Sequence, residues 1–86
     1  MKDQEKIFKA FANRRRLAII YFLKKEGEAP VAIIAEKIKL SFKATSKHLC
    51  ILAAADILEK DQRSLQMFYR ISVNQKPFIK HLLSHL

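Results

Sequence analysis

Two helical segments in the middle of this chain are separated by almost nothing, and that spacing limits the fold more than any other feature. Val31, Ile34, Ala35 and Ile38 recur at helical spacing and form one apolar stripe. Pro30 suits the first turn of that helix, where its missing N–H is not needed. Lys39-Leu40 leaves room only for a short turn. Ser41 is a good N-cap for the next helix, expected over about residues 42–55. A helix that begins so soon after another has ended has helix-turn-helix spacing.

The flanking segments complete the pattern. Residues 3–12 read as a first helix, with Ile7, Phe8, Phe11 and Ala12 on one arc and Lys6 and Lys9 opposite. Asn13 is a break or a cap. Residues 14–26 read as a second helix whose Leu17, Ile19, Ile20, Phe22 and Leu23 point all around it, so it is expected to be buried on nearly every side. Gly27 follows Lys24-Lys25-Glu26 and supplies a left-handed stop. Beyond Asp56 the period changes. Residues 57–60 and 65–72 read as short strands, with Met67, Tyr69 and Ile71 on one side, and residues 61–64 read as a polar hairpin tip. Pro77 opens a last helix with Phe78, Ile79, Leu82, Leu83 and Leu86 along one side. Four helices, a two-stranded hairpin and a C-terminal helix make a mainly α chain with a β-hairpin wing. This is a winged helix-turn-helix, expected to occupy residues 1–86 as one domain.

Composition narrows the function. The chain has 86 residues, 17 of them Lys or Arg and 8 Asp or Glu, for a net charge of +9. Such an excess favours a polyanionic partner. The single glycine leaves no glycine-rich phosphate loop. No nucleophile–base pair, paired carboxylates or metal set can be assembled, so neither an enzyme nor a cofactor is expected. One cysteine rules out an internal disulfide and fits a reducing compartment. The apolar runs are too short to cross a bilayer, and the first ten residues lack the apolar core of a signal peptide. A cytoplasmic location without a membrane partner is expected.

Three segments carry a resemblance to a known family. Phe8-Lys9-Ala10-Phe11-Ala12-Asn13-Arg14-Arg15-Arg16-Leu17 resembles the opening stretch of the ArsR family of small winged-helix repressors. The run from Leu40 to Leu52 resembles that family's recognition helix, with Ser46, His48, Leu49 and Leu52 at matching positions. Phe68-Tyr69-Arg70-Ile71 resembles its second wing strand. The resemblance implies a DNA-binding repressor that dimerises through its first and last helices. Three departures stand out. Pro30 and Ala32 occupy the positions of the Cys-x-Cys pair found in metal sensors of the family. Lys39 replaces the glycine between the two helices, and must either turn left-handed or shift the turn. Ser64 replaces the wing glycine and Leu65 the arginine that follows it.

On the fourth helix, about 100° per residue sets Phe42, Lys43, Ser46, Lys47 and Cys50 outward and Thr45, His48, Leu49, Ile51 and Leu52 inward. Lysine and serine on an outward face suit guanine edges or phosphates, and Phe42 suits a thymine methyl. The plain alternative is a solvated face. Ser41 is expected to offer capped amides to a phosphate. Lys37, Lys39 and Lys43 are expected near phosphates, Ser46 and Lys47 near base edges, and Arg63 at a flanking phosphate or the minor groove, with a plain exposed turn arginine as its equal alternative. Arg14-Arg15-Arg16 reads either as an approach to the backbone or as a flank of the buried helix, with a structural role for at least one of the three. His48 reads as a boundary histidine and Cys50 as an inert thiol, with a redox switch as its alternative. His81 and His85, four residues apart, read as structural rather than metal-binding. Ile7, Phe8, Phe11, Phe78, Leu82 and Leu86 are expected at a homodimer interface, because no cover within the chain is evident for them. A two-fold dimer would read an inverted repeat in double-stranded DNA with half-sites about 10–11 bp apart, or a small multiple of that. The alternative function is a winged-helix module for protein partners. Salt-sensitive, sequence-selective duplex binding separates the two.

Overall fold

Asn13 opens the helix around which the rest is packed. In this computed structural model, which describes residues 2–86, its side-chain Oδ1 accepts from the backbone N–H groups of Arg15 and Arg16 at 2.9 and 3.1 Å. These two bonds satisfy donors that the start of a helix otherwise leaves orphaned. Helix α1 (Lys2–Phe11) precedes this cap and α2 (Arg14–Glu26) follows it. Gly27, at φ 93°, closes α2 by donating to the Leu23 carbonyl at 2.8 Å. Ile19, Ile20 and Leu23 of α2 are buried, with Leu17 and Phe22 packed at the edge of the same cluster.

The next segment departs from the expected order. Residues Glu28–Pro30 form a strand, β1, before α3 (Val31–Ile38) begins. Pro30 therefore ends a strand at φ −77° and ψ 159° and precedes α3, rather than lying in its first turn. An extended ψ at a proline-compatible φ satisfies both roles. After α4 (Phe42–Ala54) come β2 (Leu58–Arg63) and β3 (Gln66–Ile71), and then α5 (Pro77–Leu83). The sheet is antiparallel with order β1-β3-β2, so the wing has three strands where a two-stranded hairpin was expected. Ala29 and Lys60 both pair with Tyr69, which is buried at the centre of the sheet. The hairpin tip is Ser64-Leu65 and not residues 61–64. Arg63 pairs with Gln66 in the strands, and Ser64 takes the left-handed turn at φ 56°.

One core joins these elements. Ile34 of α3, Leu49 and Leu52 of α4, Ile57 before β2 and Ile79 of α5 are fully buried with Ile19 and Ile20. The expected dimer residues divide. Ile7 and Phe11 lie inside this core at 3% and 9% exposure, covered by their own chain. They are not a free face. On α5 the inward pair is Ile79 and Leu83, while Phe78 and Leu82 are half-buried against the core and Leu86 lies beyond the helix. Phe8 stays 53% exposed, with its ring edge-on to Phe78 at 5.0 Å between centroids.

Candidate nucleic-acid interface

The turn between α3 and α4 is built by backbone bonds. Lys39 adopts φ 56° and ψ 51°, so the left-handed alternative holds and the turn is not shifted. Its N–H donates to the Glu36 carbonyl at 3.3 Å, and the Leu40 N–H donates to the Ala35 carbonyl at 3.0 Å. This pair is a Schellman closure, a position that glycine normally fills. Ser41 then caps α4, its Oγ accepting from the Ala44 N–H at 3.1 Å. The two caps fix where α4 starts and which way its first turn faces.

Phe42, Lys43, Lys47 and Cys50 are exposed along one side of α4, with Ser46 partly exposed between them. Thr45, Leu49 and Leu52 face the core. Ile51 departs from its expected inward place and is 43% exposed. It lies at about 180° on the helical wheel, at the border of the two arcs, where periodicity decides least. Phe42, Lys43, Ser46, Lys47, Cys50 and Ile51 line an open cleft of about 770 Å³. A second cleft, of about 490 Å³, begins at Ile51 and runs along the lysines of α1, Lys2, Lys6 and Lys9, to Arg16. Lys37 and Lys39 are exposed beside the turn.

The arginine run separates by role. The Arg16 guanidinium donates to the Ala10 carbonyl at 2.7 Å and to the Lys9 carbonyl at 3.0 Å, and its Nη1 meets His48 Nδ1 at 3.2 Å. Burial, and then the charges of Arg16 and Arg15, hold His48 below its ordinary value. Arg15 Nη1 reaches the Ile38 carbonyl at 3.4 Å, at the end of α3, and Arg14 is exposed. Arg15 therefore stands beside the helix-turn-helix turn, a placement the sequence showed only as a charge run. Thr45 Oγ1 is buried without a hydrogen-bond partner. Burial pushes the Tyr69 phenol up, with the Cys50 thiol as a further cause.

In the wing, Arg63 is held by the sheet. Its two terminal nitrogens bond Glu28 at 2.7 and 2.9 Å, its Nε bonds Asp61 at 2.9 Å, and its guanidinium lies 4.4 Å from the Phe68 ring centre. The hydrogen bonds to Glu28 and Asp61 push its pKa up, and the bond from Arg63 draws the Glu28 carboxyl below its ordinary range. Arg70 adds a bond to Glu59 at 3.1 Å. Glu28 belongs to β1, so the partner of Arg63 could not be named before that strand was known. His81 and His85 stack edge-on at 4.9 Å, and among the described residues no three His, Cys, Asp or Glu side chains come together as a metal would need. No helix of the described residues is long and apolar enough to cross a membrane.

Comparisons with known proteins agree with this geometry. The chain is 29% identical over 72 residues to the arsenical resistance operon repressor of Bacillus subtilis, covering 84% of this chain and 69% of that protein. Its fold superposes on HlyU from Vibrio cholerae with a TM-score of 0.82 and 26% identity, over 98% of this chain and 87% of the other. It also superposes on the homodimeric winged helix-turn-helix DNA-binding domain of a possible ArsR-family regulator from Mycobacterium bovis. There the TM-score is 0.83 and the identity 26%, over 98% of this chain and 74% of the other. The model of the bacterial regulatory protein family arsR matches residues 13–60, more than half of the sequence, from the cap of α2 through α4 into β2. With its two capped helices, three-stranded wing and matching central segment, the chain belongs to the ArsR family of winged helix-turn-helix transcriptional regulators.

Proposed function

We propose that this chain is a homodimeric, sequence-specific repressor that reads the major groove of double-stranded DNA with α4. The observation that carries the reading is the outward face of α4, a helix whose start is fixed by Lys39 and Ser41. Lys43 and Lys47 are exposed, Ser46 is partly exposed, and among the described residues none of the three has a side-chain hydrogen bond or ion pair. Lys47 and Ser46, mid-helix, address base edges. Lys37, Lys39, Lys43 and the amides capped by Ser41 address phosphates. Arg15 joins them as a phosphate contact beside the turn. Arg63 is assigned to the sheet, because Glu28 and Asp61 already take three of its five N–H donors.

Residues 1–86 form one domain in this reading, and α1 and α5 form the dimer seam. Phe8, Phe78, Leu82 and Leu86 supply its apolar surface, while Ile7 and Phe11 support α1 from inside the core. The Mycobacterium bovis neighbour is homodimeric, which supports the same assembly here. A two-fold dimer presents two α4 helices, so the operator is an inverted repeat with half-sites about 10–11 bp apart, or a small multiple of it.

A second reading is favoured by the exposed Phe42, Cys50 and Ile51: an α4 face that docks on protein. Selection of bound duplexes from a random pool, followed by a salt titration of the best one, tests both. A symmetric consensus whose affinity falls steeply with salt is expected. Binding to no duplex at low salt would pass the face to a protein partner.

A further inference from the structure

The sequence of α4 is unusual in what it lacks. From Phe42 to Ala54 it carries no arginine, asparagine, glutamine, aspartate or glutamate. Arginine is the commonest bidentate reader of guanine, asparagine and glutamine read adenine, and the carboxylates read cytosine. The polar side chains left on the outward face are Lys43, Ser46 and Lys47, and none of them forms a rigid fork. Around them the exposed side chains are apolar. Phe42 is 59% exposed, Ile51 is 43% exposed and Cys50 is exposed, all lining one cleft of about 770 Å³. From Phe42 to Cys50 the face runs about 12 Å along the helix axis, the length of three to four base-pair steps.

A helix face that carries lysines beside exposed apolar side chains suits a polyanion that is itself apolar in places. The major groove offers one such feature, the C5 methyl of thymine, which projects into it and is missing from the other three bases. Lys43 meets the phosphates, Lys47 stays at the base edges, and Phe42, at the margin of the same face, meets the methyls.

We propose that Phe42 reads thymine methyl groups in the operator by apolar contact, and that this contact adds to the base discrimination made by Ser46 and Lys47. The proposal rests on the DNA reading above and adds the chemistry by which sequence is recognised. Phe42 is the principal reader because it is the largest exposed apolar side chain of α4 and lies in the first turn, directly after the Ser41 cap.

The test is methyl deletion. The selected duplex is prepared with deoxyuridine in place of each thymidine in turn, which removes one methyl and keeps every hydrogen bond. Burying one methyl-sized group corresponds to about fourfold in affinity, so one or two positions per half-site should show that loss, and about fifteenfold when both half-sites are substituted. Phe42→Ala should bind more weakly to the thymidine duplex and lose the dependence on those methyls, while Phe42→Leu should keep part of it. Phe42 is exposed, so thermal melts of the variants should match the parent chain. Equal affinity for the fully thymidine and fully deoxyuridine duplexes would overturn the proposal and leave the DNA reading standing. Undiminished methyl dependence in Phe42→Ala would overturn the assignment to Phe42. Failure to bind any duplex would overturn both.

Discussion

Nη1 of Arg16 lies 3.2 Å from Nδ1 of His48, and this contact selects the tautomer of the neutral ring. A guanidinium only donates, so Nδ1 accepts, the ring proton sits on Nε2 and the imidazole is neutral. The other nitrogens of Arg16 hold the last carbonyls of α1. One side chain thus joins the end of α1, the start of α2 and the middle of α4.

Stability is therefore expected to fall in mild acid. His48 is held below its ordinary value of 6.5, so the folded chain takes up its proton later than the unfolded chain. The contribution is present above pH 6.5 and is lost as the pH falls through the folded value. Melting temperatures measured from about pH 8 to pH 5 should decline for the parent chain and flatten in His48→Gln, which keeps an acceptor without titrating. Identical profiles for the two would refute the assignment.

Thr45→Val should stabilise the fold. The buried hydroxyl has no partner, and an unpaired buried polar group costs about 1–3 kcal/mol, while valine keeps the shape. A gain of about 1 kcal/mol in urea denaturation is expected. A loss would mean that the hydroxyl is bonded in solution.

Two left-handed residues offer a contrast. Lys39 and Ser64 both stand at φ 56°. Relief of the left-handed strain, about 1–2 kcal/mol, exceeds the added chain entropy of glycine, about 0.5–1 kcal/mol. Lys39→Gly and Ser64→Gly should each therefore gain about 0.5–1 kcal/mol. Lys39→Gly should at the same time weaken duplex binding and lower its salt slope, whereas Ser64→Gly should leave both alone. Calorimetry and salt titration on the same samples would reveal any other pairing.

Base readers and phosphate holders should separate in binding experiments. Lys47→Ala should cost about 1–3 kcal/mol per half-site and relax the preference at one or two positions. Lys37→Ala should weaken a selected and a scrambled duplex alike and lower the salt slope by about two per dimer. The reverse pattern would mean that α4 lies in the groove differently.

Phe8→Asp should dissolve the proposed dimer without unfolding the chain. Phe8 is 53% exposed, so the new carboxylate costs the monomer little and the buried seam much. Sedimentation at micromolar concentration should give about 20 kDa for the parent chain, twice its 10.0 kDa, and the single-chain mass for the variant. A parent chain sedimenting as a monomer would remove α1 and α5 from any interface.

Local chemistry made the helices legible. Asn13, Gly27 and Ser41 are caps whose roles follow from their side chains and neighbours, and they placed α2 and α4 closely. Strand β1 was hidden because Glu28–Pro30 is too short to show a period and exists only through its pairing with β3. That pairing also brings Glu28 to Arg63, so the restraint on the arginine was equally hidden. Ile7 and Phe11 show how far an apolar stripe reaches. It predicts that a face is covered, but not whether the cover comes from the same chain. The outward lysines of α4 were readable because a capped helix start fixes the wheel, and Ile51 was not because it sits on the border.

The sheet's paired charges have a further consequence for how the molecule moves. Glu28, Glu59 and Asp61 cancel Lys60, Arg63 and Arg70, so the whole net charge of +9 resides on the helices and their connections. The protein is an electrical dipole as well as a cation, with a neutral sheet at one part and a positive helical body at another. A polyanion within a few Debye lengths exerts a torque on such a body as well as a pull. Collisions are then biased toward the helical side before any specific contact forms, and the gain appears in the association rate at low salt.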